Sequence, residues 1–310
     1  MTAANPEPSF PGGMTLSLFA VAVTLGGANF IGVRFSNREL DPFWGAGLRF
    51  SLAALLFIGI AAALKLRWPR GRQLGYTMLY GFLSFALFYA LMYWALVRVT
   101  AGVATVVLAV VPLVTLLLAA AHGMESLGLR SVVGSFLAIA GIVWMTFGPQ
   151  EVVLPFAALL AFLAAAVTAG ESVILSKKVS GYHPAMTNAV AMATGAVVLL
   201  AISAVTGDRW ALPTQGEVIW SLIYLVTLGS AGLFVVLLLV VRKWTASATS
   251  YAFVLFPVST MLLGAWIADE PITGQGVAGA ILVMSGVWFG ALSPGARRAP
   301  VPVEEPRPAV

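Results

Sequence analysis

The sequence predicts an all-α integral membrane protein whose ten transmembrane helices form two inverted five-helix repeats around a central cavity. Three observations predict it. Of 310 residues, 60% are hydrophobic and only 9% charged, where soluble domains carry about 25% charged residues. Lys and Arg crowd one set of alternate connections and are scarce in the other. Finally, the chain matches itself when displaced by 145 residues.

Composition also excludes several classes. With no cysteine, disulfides, thiolate metal sites and a Cys nucleophile are ruled out. His122 and His183 fall in short connections and make no metal cluster by themselves. The spans hold no histidine, HExxH, GxSxG or paired Asp, so an intramembrane enzyme is not expected, and without a P-loop neither is ATP chemistry. No cofactor or metal is called for. The formal charge of +5 is small for this length and concerns topology; no nucleic-acid partner follows from it. The first residues, MTAANPEPSFPGG, hold no Lys or Arg and do not read as the basic leader of a cleaved signal peptide.

A span needs about 20 apolar residues to cross about 30 Å of hydrocarbon. Cutting at charged, Pro and Gly clusters gives spans at 14–33, 43–64, 74–97, 101–121, 129–147, 153–176, 184–205, 218–241, 246–268 and 276–292. The domains that follow are a tail at 1–13, a first repeat at 14–147, a linker at 148–152, a second repeat at 153–292 and a proline-rich tail at 293–310. One face receives Lys65, Arg67, Arg70, Arg72, Arg130, Lys177, Lys178, Arg242, Lys243, Arg297, Arg298 and Arg307. The other receives only Arg34, Arg38, Arg98 and Arg209. The positive-inside rule then puts both termini in the cytoplasm of a multi-pass protein of the bacterial inner membrane.

The self-match lays residues 100–141 on 245–286. It pairs Thr100 with Thr245, Pro112 with Pro257, Thr115 with Thr260, Glu125 with Glu270, Gly134 with Gly279 and Gly141 with Gly286. Five spans per copy is an odd number, so the second copy enters the bilayer upside down. Inverted repeats of this kind build many secondary transporters, with the substrate site near the midplane between the halves. Two such halves in one chain complete the pseudo-symmetric unit, so no oligomer is required. A channel or purely structural oligomer fits paired prolines less well.

Within the same segments, PLVTLLLAAAHGMESLGLRSVVGSFLAIAGIVW and PVSTMLLGAWIADEPITGQGVAGAILVMSGVWFG resemble the end of the EamA-type repeat of the drug/metabolite transporter superfamily. In that repeat a Pro opens the span, a Glu follows it and a Gly-rich helix closes the unit. ANFIGVRF and GLRFSLAALL are similar to the family's first two helices. The resemblance covers about residues 14–291 and recurs in both halves. As a whole the chain resembles the family's ten-helix bacterial aromatic amino-acid exporters. The resemblance implies export of amino acids, aromatic ones first, by alternating access. Export of other small metabolites or toxic compounds by proton antiport is the alternative.

Polar residues inside spans are functional candidates. In the first helix Asn29 lies near the middle, beside Phe30. Arg49, about 10 Å below the outer surface by helical rise, can grip a substrate carboxylate with its two-pronged head; an arginine paired to another helix or snorkelling outward is the alternative. Helix 3 sets Phe82, Phe85, Tyr89 and Tyr93 on one face, and Tyr89 is expected to line the cavity. Tyr224, Tyr251 and Phe253 are further wall candidates. Glu171, about 9 Å from the inner edge, can hold an amine or exchange a proton, or simply reach Lys178 or water. Asn188 offers a neutral hydrogen-bonding group in the inner third. Pro112 and Pro257 each free a carbonyl four residues back, on Leu108 and Phe253, and can act as paired hinges or as fixed kinks. Glu125 and Glu270 read as caps or loop anchors. Gly134, Ala138 and Gly141, with Gly276, Gly279 and Gly286, mark close-packing seams on helices 5 and 10. Trp44, Trp68, Trp210, Trp220 and Trp244 flank span ends as interfacial anchors. The expected partners are thus the lipid bilayer and a small-molecule substrate.

Overall fold

The computed structural model of the protein describes residues 13–123, 129–147, 153–176, 182–233 and 251–289, with positions 179, 235, 236 and 240. Among them every regular element is helical. The helices are α1 (Gly13–Ser36), α2 (Pro42–Ala63), α3 (Arg72–Leu96), α4 (Ala101–Ala121), α5 (Leu129–Phe147), α6 (Phe156–Ser176), α7 (Pro184–Thr206), α8 (Gly216–Gly232), α9 (Tyr251–Ile267) and α10 (Gly274–Val287). Among the described residues six are long and apolar enough to cross a membrane: α1, α2, α3, α4, α6 and α7. The described apolar parts of α5, α8, α9 and α10 are shorter.

Local chemistry sets several of the starts. Pro42 and Pro184 stand in the first turns of α2 and α7, where the missing amide costs nothing. Thr100 caps α4 by accepting from the Val103 amide (3.4 Å), and Thr273 caps α10 by accepting from Gly276 (3.1 Å). The imidazole Nδ1 of His183 accepts from the Ala185 amide at the start of α7 (3.2 Å).

Three helices are irregular inside. In α4 the segments Ala101–Leu108 and Val111–Ala121 are separated by a turn at Ala109 and Val110, directly before Pro112. Its missing amide and its ring disfavour a continuous helix there. In α3 the stretch Phe82–Leu87 is a π-turn, and in α8 so is Thr227–Gly232. These two π-turns lie 145 positions apart at both ends, the displacement at which the sequence matches itself.

Packing repeats with the same step. α2 lies along α7, and α5 along α10. α1 packs on α9 and α8, while α6 packs on α4 and α3. Moving each helix five places along the chain turns one set of pairs into the other. The α5–α10 contact is a seam of small residues: a β-carbon on Gly286 would fall 2.6 Å from the Gly134 carbonyl and 2.5 Å from the Ala138 amide, and one on Gly141 would meet the Gly279 carbonyl at 2.9 Å. Outward, Leu52, Leu55, Phe136, Ile139, Leu262 and Trp266 are exposed, as apolar side chains facing hydrocarbon would be.

Candidate functional site

Between the halves lies a cavity of about 220 Å³. Its walls come from α1 (Gly26, Asn29, Phe30), α3 (Tyr80, Ser84, Phe85, Phe88, Tyr89, Met92), α4 (Thr105, Leu108, Val111), α6 (Ala169, Ser172, Val173), Leu233 just past α8, and α9 (Phe253, Phe256). The rings interlock: Tyr89 lies edge-on to Phe50 at 4.5 Å and to Phe88 at 5.0 Å, and Phe253 leans on Phe256 at 5.2 Å. Such pairs hold their geometry beyond simple area burial, so the wall is shaped before anything enters it. No acidic or basic side chain lines this cavity among the described residues.

Four of the residues expected from the sequence line it together: Asn29, Phe30, Tyr89 and Phe253. Leu108 and Phe253, four positions before Pro112 and Pro257, are both wall residues. Arg49 stands behind the wall, 0% exposed. Its Nε donates to the Ser230 hydroxyl (3.3 Å), Nη1 to the Tyr93 hydroxyl (3.4 Å), and Nη2 to the Gly229 carbonyl (3.4 Å), the Ser230 hydroxyl (3.3 Å) and Asn29 Oδ1 (3.5 Å). The guanidinium also sits 5.0 Å from the Phe50 ring and 5.1 Å from the Tyr89 ring. Asn29 Nδ2 donates to the same Gly229 carbonyl at 3.0 Å, so α1 and α2 converge on the π-turn of α8.

The remaining expected residues lie elsewhere. Tyr224 donates its hydroxyl to the Leu25 carbonyl (2.7 Å) and lines a separate groove with Gly32, Arg38 and Trp220. Asn188 is buried in α7 away from the cavity wall. Glu171 is 32% exposed and faces His122, Oε2 to Nε2 3.8 Å. The side chain of Tyr251 lies outside the described residues, as do Glu125 and Lys178.

Glu270 is an anchor at a helix start, as its place in the sequence suggested, but of a helix in the other half. Its carboxylate is 9% exposed and accepts from the amides of Ala101 (3.0 Å) and Gly102 (3.4 Å), at the start of α4 rather than of its own following helix. Negative charge is favoured at a helix N-terminus, and Arg34 Nε completes the cluster at 3.4 Å from Oε1. Arg34 also donates to the carbonyls of Leu96 and Val99. The same face, the one poor in Lys and Arg, is laced by further loops. Glu39 accepts from the hydroxyl and amide of Thr214 and from the Gln215 amide. These bonds, the hydroxyl first, hold its carboxyl below the usual range. Trp44 and Trp210 stack at 4.9 Å; the Trp44 backbone amide donates to the Asp208 carboxylate (2.9 Å) and its indole Nε1 to the Ala211 carbonyl (2.6 Å). Two of the expected interfacial tryptophans thus anchor each other.

The model of the EamA-like transporter family matches residues 13–147 and again 155–291. An uncharacterised transporter of Archaeoglobus fulgidus is 28% identical, over 88% of this chain and 96% of its own. A probable amino-acid metabolite efflux pump of Escherichia coli K12 is 28% identical, over 88% and 93%. A probable terminal-alkyne amino-acid exporter of Streptantibioticus cattleyicolor is 29% identical, over 79% and 85%. A solved crystal structure, 18% identical, superposes with a TM-score of 0.64 and covers 90% of this chain and 96% of that one; it carries the fold alone.

Proposed function

The chain belongs to the EamA-like transporter family, and from that premise we propose that it exports amino acids, aromatic ones first, by alternating access between two inverted five-helix halves. The observation that carries the reading is the ring-walled cavity between α1, α3 and α4 of one half and α6 and α9 of the other. Its volume of about 220 Å³ compares with about 150 Å³ for a dry cavity that takes up benzene, leaving room for a short polar end. The paired π-turns and the five-step repetition of helix contacts support the inverted arrangement. The names of the E. coli and Streptantibioticus relatives support amino acids as the substrate class. With both termini in the cytoplasm of an inner membrane, the laced face is the outer one.

The test is efflux of phenylalanine, tryptophan and alanine from liposomes holding purified protein, with and without an imposed pH gradient. Aromatic efflux faster than from empty liposomes, and faster than alanine efflux, is expected, with no response to the gradient. Rates equal to those of empty liposomes would overturn the reading. The Glu171–His122 contact favours one second reading, proton antiport; acceleration by protons moving against the substrate would put Glu171 first.

A further inference from the structure

We infer that Arg49 makes the cavity select a carboxylate without touching it, by charging Asn29 from behind. The inference rests on the proposed transport of amino acids and names how one end of the substrate is recognised.

A guanidinium with 0% exposure in the interior of a membrane protein demands compensation. Among the described residues no carboxylate lies within ion-pair distance of Arg49. Its acceptors are neutral and stand at 3.3 to 3.5 Å, beyond the usual 2.7–3.2 Å for such bonds. The positive charge is spread thinly over five hydrogen bonds and has no counter-ion among the described residues.

Asn29 is the one of these acceptors that also lines the cavity. Its Oδ1 faces the guanidinium, and one Nδ2 proton goes to the Gly229 carbonyl. An amide nitrogen carries two protons, so one remains to be donated. An amide whose oxygen is drawn toward a cation is a stronger donor at nitrogen, because hydrogen bonds in a chain polarise one another. Asn29 therefore offers the cavity a donor backed by a full positive charge. With no acid on the wall among the described residues to oppose it, and with Phe253, Phe256 and Phe88 for the ring, a carboxylate at the Asn29 end is the matching charge. The substrate ammonium gains no such partner. A purely structural arginine would leave the cavity indifferent to the ligand's charge.

The test measures how well 3-phenylpropanoate, phenylalaninamide and 2-phenylethylamine compete with phenylalanine exchange in liposomes. For the wild type, the carboxylate should compete about tenfold better than either cation, the ratio expected of one charge-assisted hydrogen bond. Arg49→Lys should keep the preference and Arg49→Gln should lose it. Asn29→Asp, equal in size, gives Arg49 an internal counter-ion and should reverse the order. If the Arg49 variants fail to fold, Asn29→Asp decides. Equal competition by all three compounds in the wild type, or an unchanged order in Asn29→Asp, would overturn the inference while leaving export intact. No phenylalanine exchange by the wild type would instead bring down the functional reading, and this inference with it.

Discussion

Helices α4 and α9 share a proline, a threonine three residues later and a glutamate at the same distance beyond, yet α4 is interrupted at Ala109–Val110 while α9 runs unbroken through Pro257. Surroundings account for the difference. The first half of α4 is buried along its whole length. Thr100 and Glu270 fix its start and α6 supports its second half, so each segment is held separately and the break is tolerated. α9 lies at the edge, with Leu255, Val258, Leu262 and Trp266 exposed, and leans on α1 where Gly26 and Gly27 admit it. One motif thus has two shapes in one molecule. In an alternating-access cycle the halves trade shapes, and the broken and unbroken helices are the pair we propose to trade.

The largest expected effect comes from closing the notch that admits α9. A β-carbon on Gly27 would lie 2.7 Å from the Ser259 hydroxyl and 3.1 Å from the Thr260 backbone nitrogen, which has no slack. On Gly170, where α4 meets α6, it would press first on the flexible tip of Leu118 at 2.9 Å, with Thr115 Oγ1 at 3.2 Å and Thr115 Cα at 3.3 Å behind it. Gly27→Ala should therefore cost about 1–3 kcal/mol of stability and most of the transport. Gly170→Ala should stay within about 1 kcal/mol of neutral, because the gain in helix propensity offsets part of the strain. Melting of the two variants in detergent checks the order; the reverse order would mean that the tighter approach of α9 to α1 does not set the cost.

Second is the carboxylate that anchors the start of α4. Glu270→Gln keeps the shape but removes the charge shared by Arg34 and the amides of Ala101 and Gly102. A helix-start anchor of this kind is worth about 1 kcal/mol. The chain has no native cysteine, so Val103→Cys, in the first turn of α4 and on the same groove as Glu270, reports loosening of that helix start without interference. Impermeant maleimide should label it about five- to tenfold faster when Glu270 is Gln. An unchanged rate would mean that the cluster does not hold that face.

How much of this was legible in the chain depends on range. The helices lie near the expected spans, with α2 at Pro42–Ala63 against 43–64, because hydropathy is a local property. The step of 145 found over residues 100–141 extends unaided to the π-turns at Phe82–Leu87 and Thr227–Gly232, which no residue pattern announced. The place of Arg49 behind the wall, and the reach of Glu270 to a helix of the other half, depend on which helices become neighbours. Sequence spacing along one helix carries no record of that. Tyr224 illustrates the limit: it shares α8 with the π-turn that binds Arg49, but its hydroxyl turns to the Leu25 carbonyl.

Third come the prolines themselves. Pro257→Ala restores a backbone donor to a helix already continuous, and Pro112→Ala restores one beside a break held from both ends. Both variants should fold, with stability within about 1 kcal/mol of the wild type. If the two shapes interchange, each should slow transport severalfold, since each removes one of the two conformations from easy reach. Equal stability with unchanged transport would reduce both prolines to fixed kinks and leave the asymmetry a property of packing alone.

The smallest effect separates the paired threonines. Thr260 donates across helices to the Gly27 carbonyl at 3.0 Å, whereas Thr115 donates back to Val111 in its own helix at 2.8 Å. Interhelical bonds of this sort in membrane proteins average about 0.6 kcal/mol, since the carbonyl keeps its own helical donor when the hydroxyl is removed. A bond back along the same helix competes with the backbone and contributes nothing net. Thr260→Val should thus lower stability by about 0.6 kcal/mol and loosen α9 from α1, while Thr115→Val should leave the melting temperature unchanged or slightly higher. Because the two residues occupy the same place in the motif, an equal loss at both would mean that the repeat, and not its surroundings, sets what each threonine does.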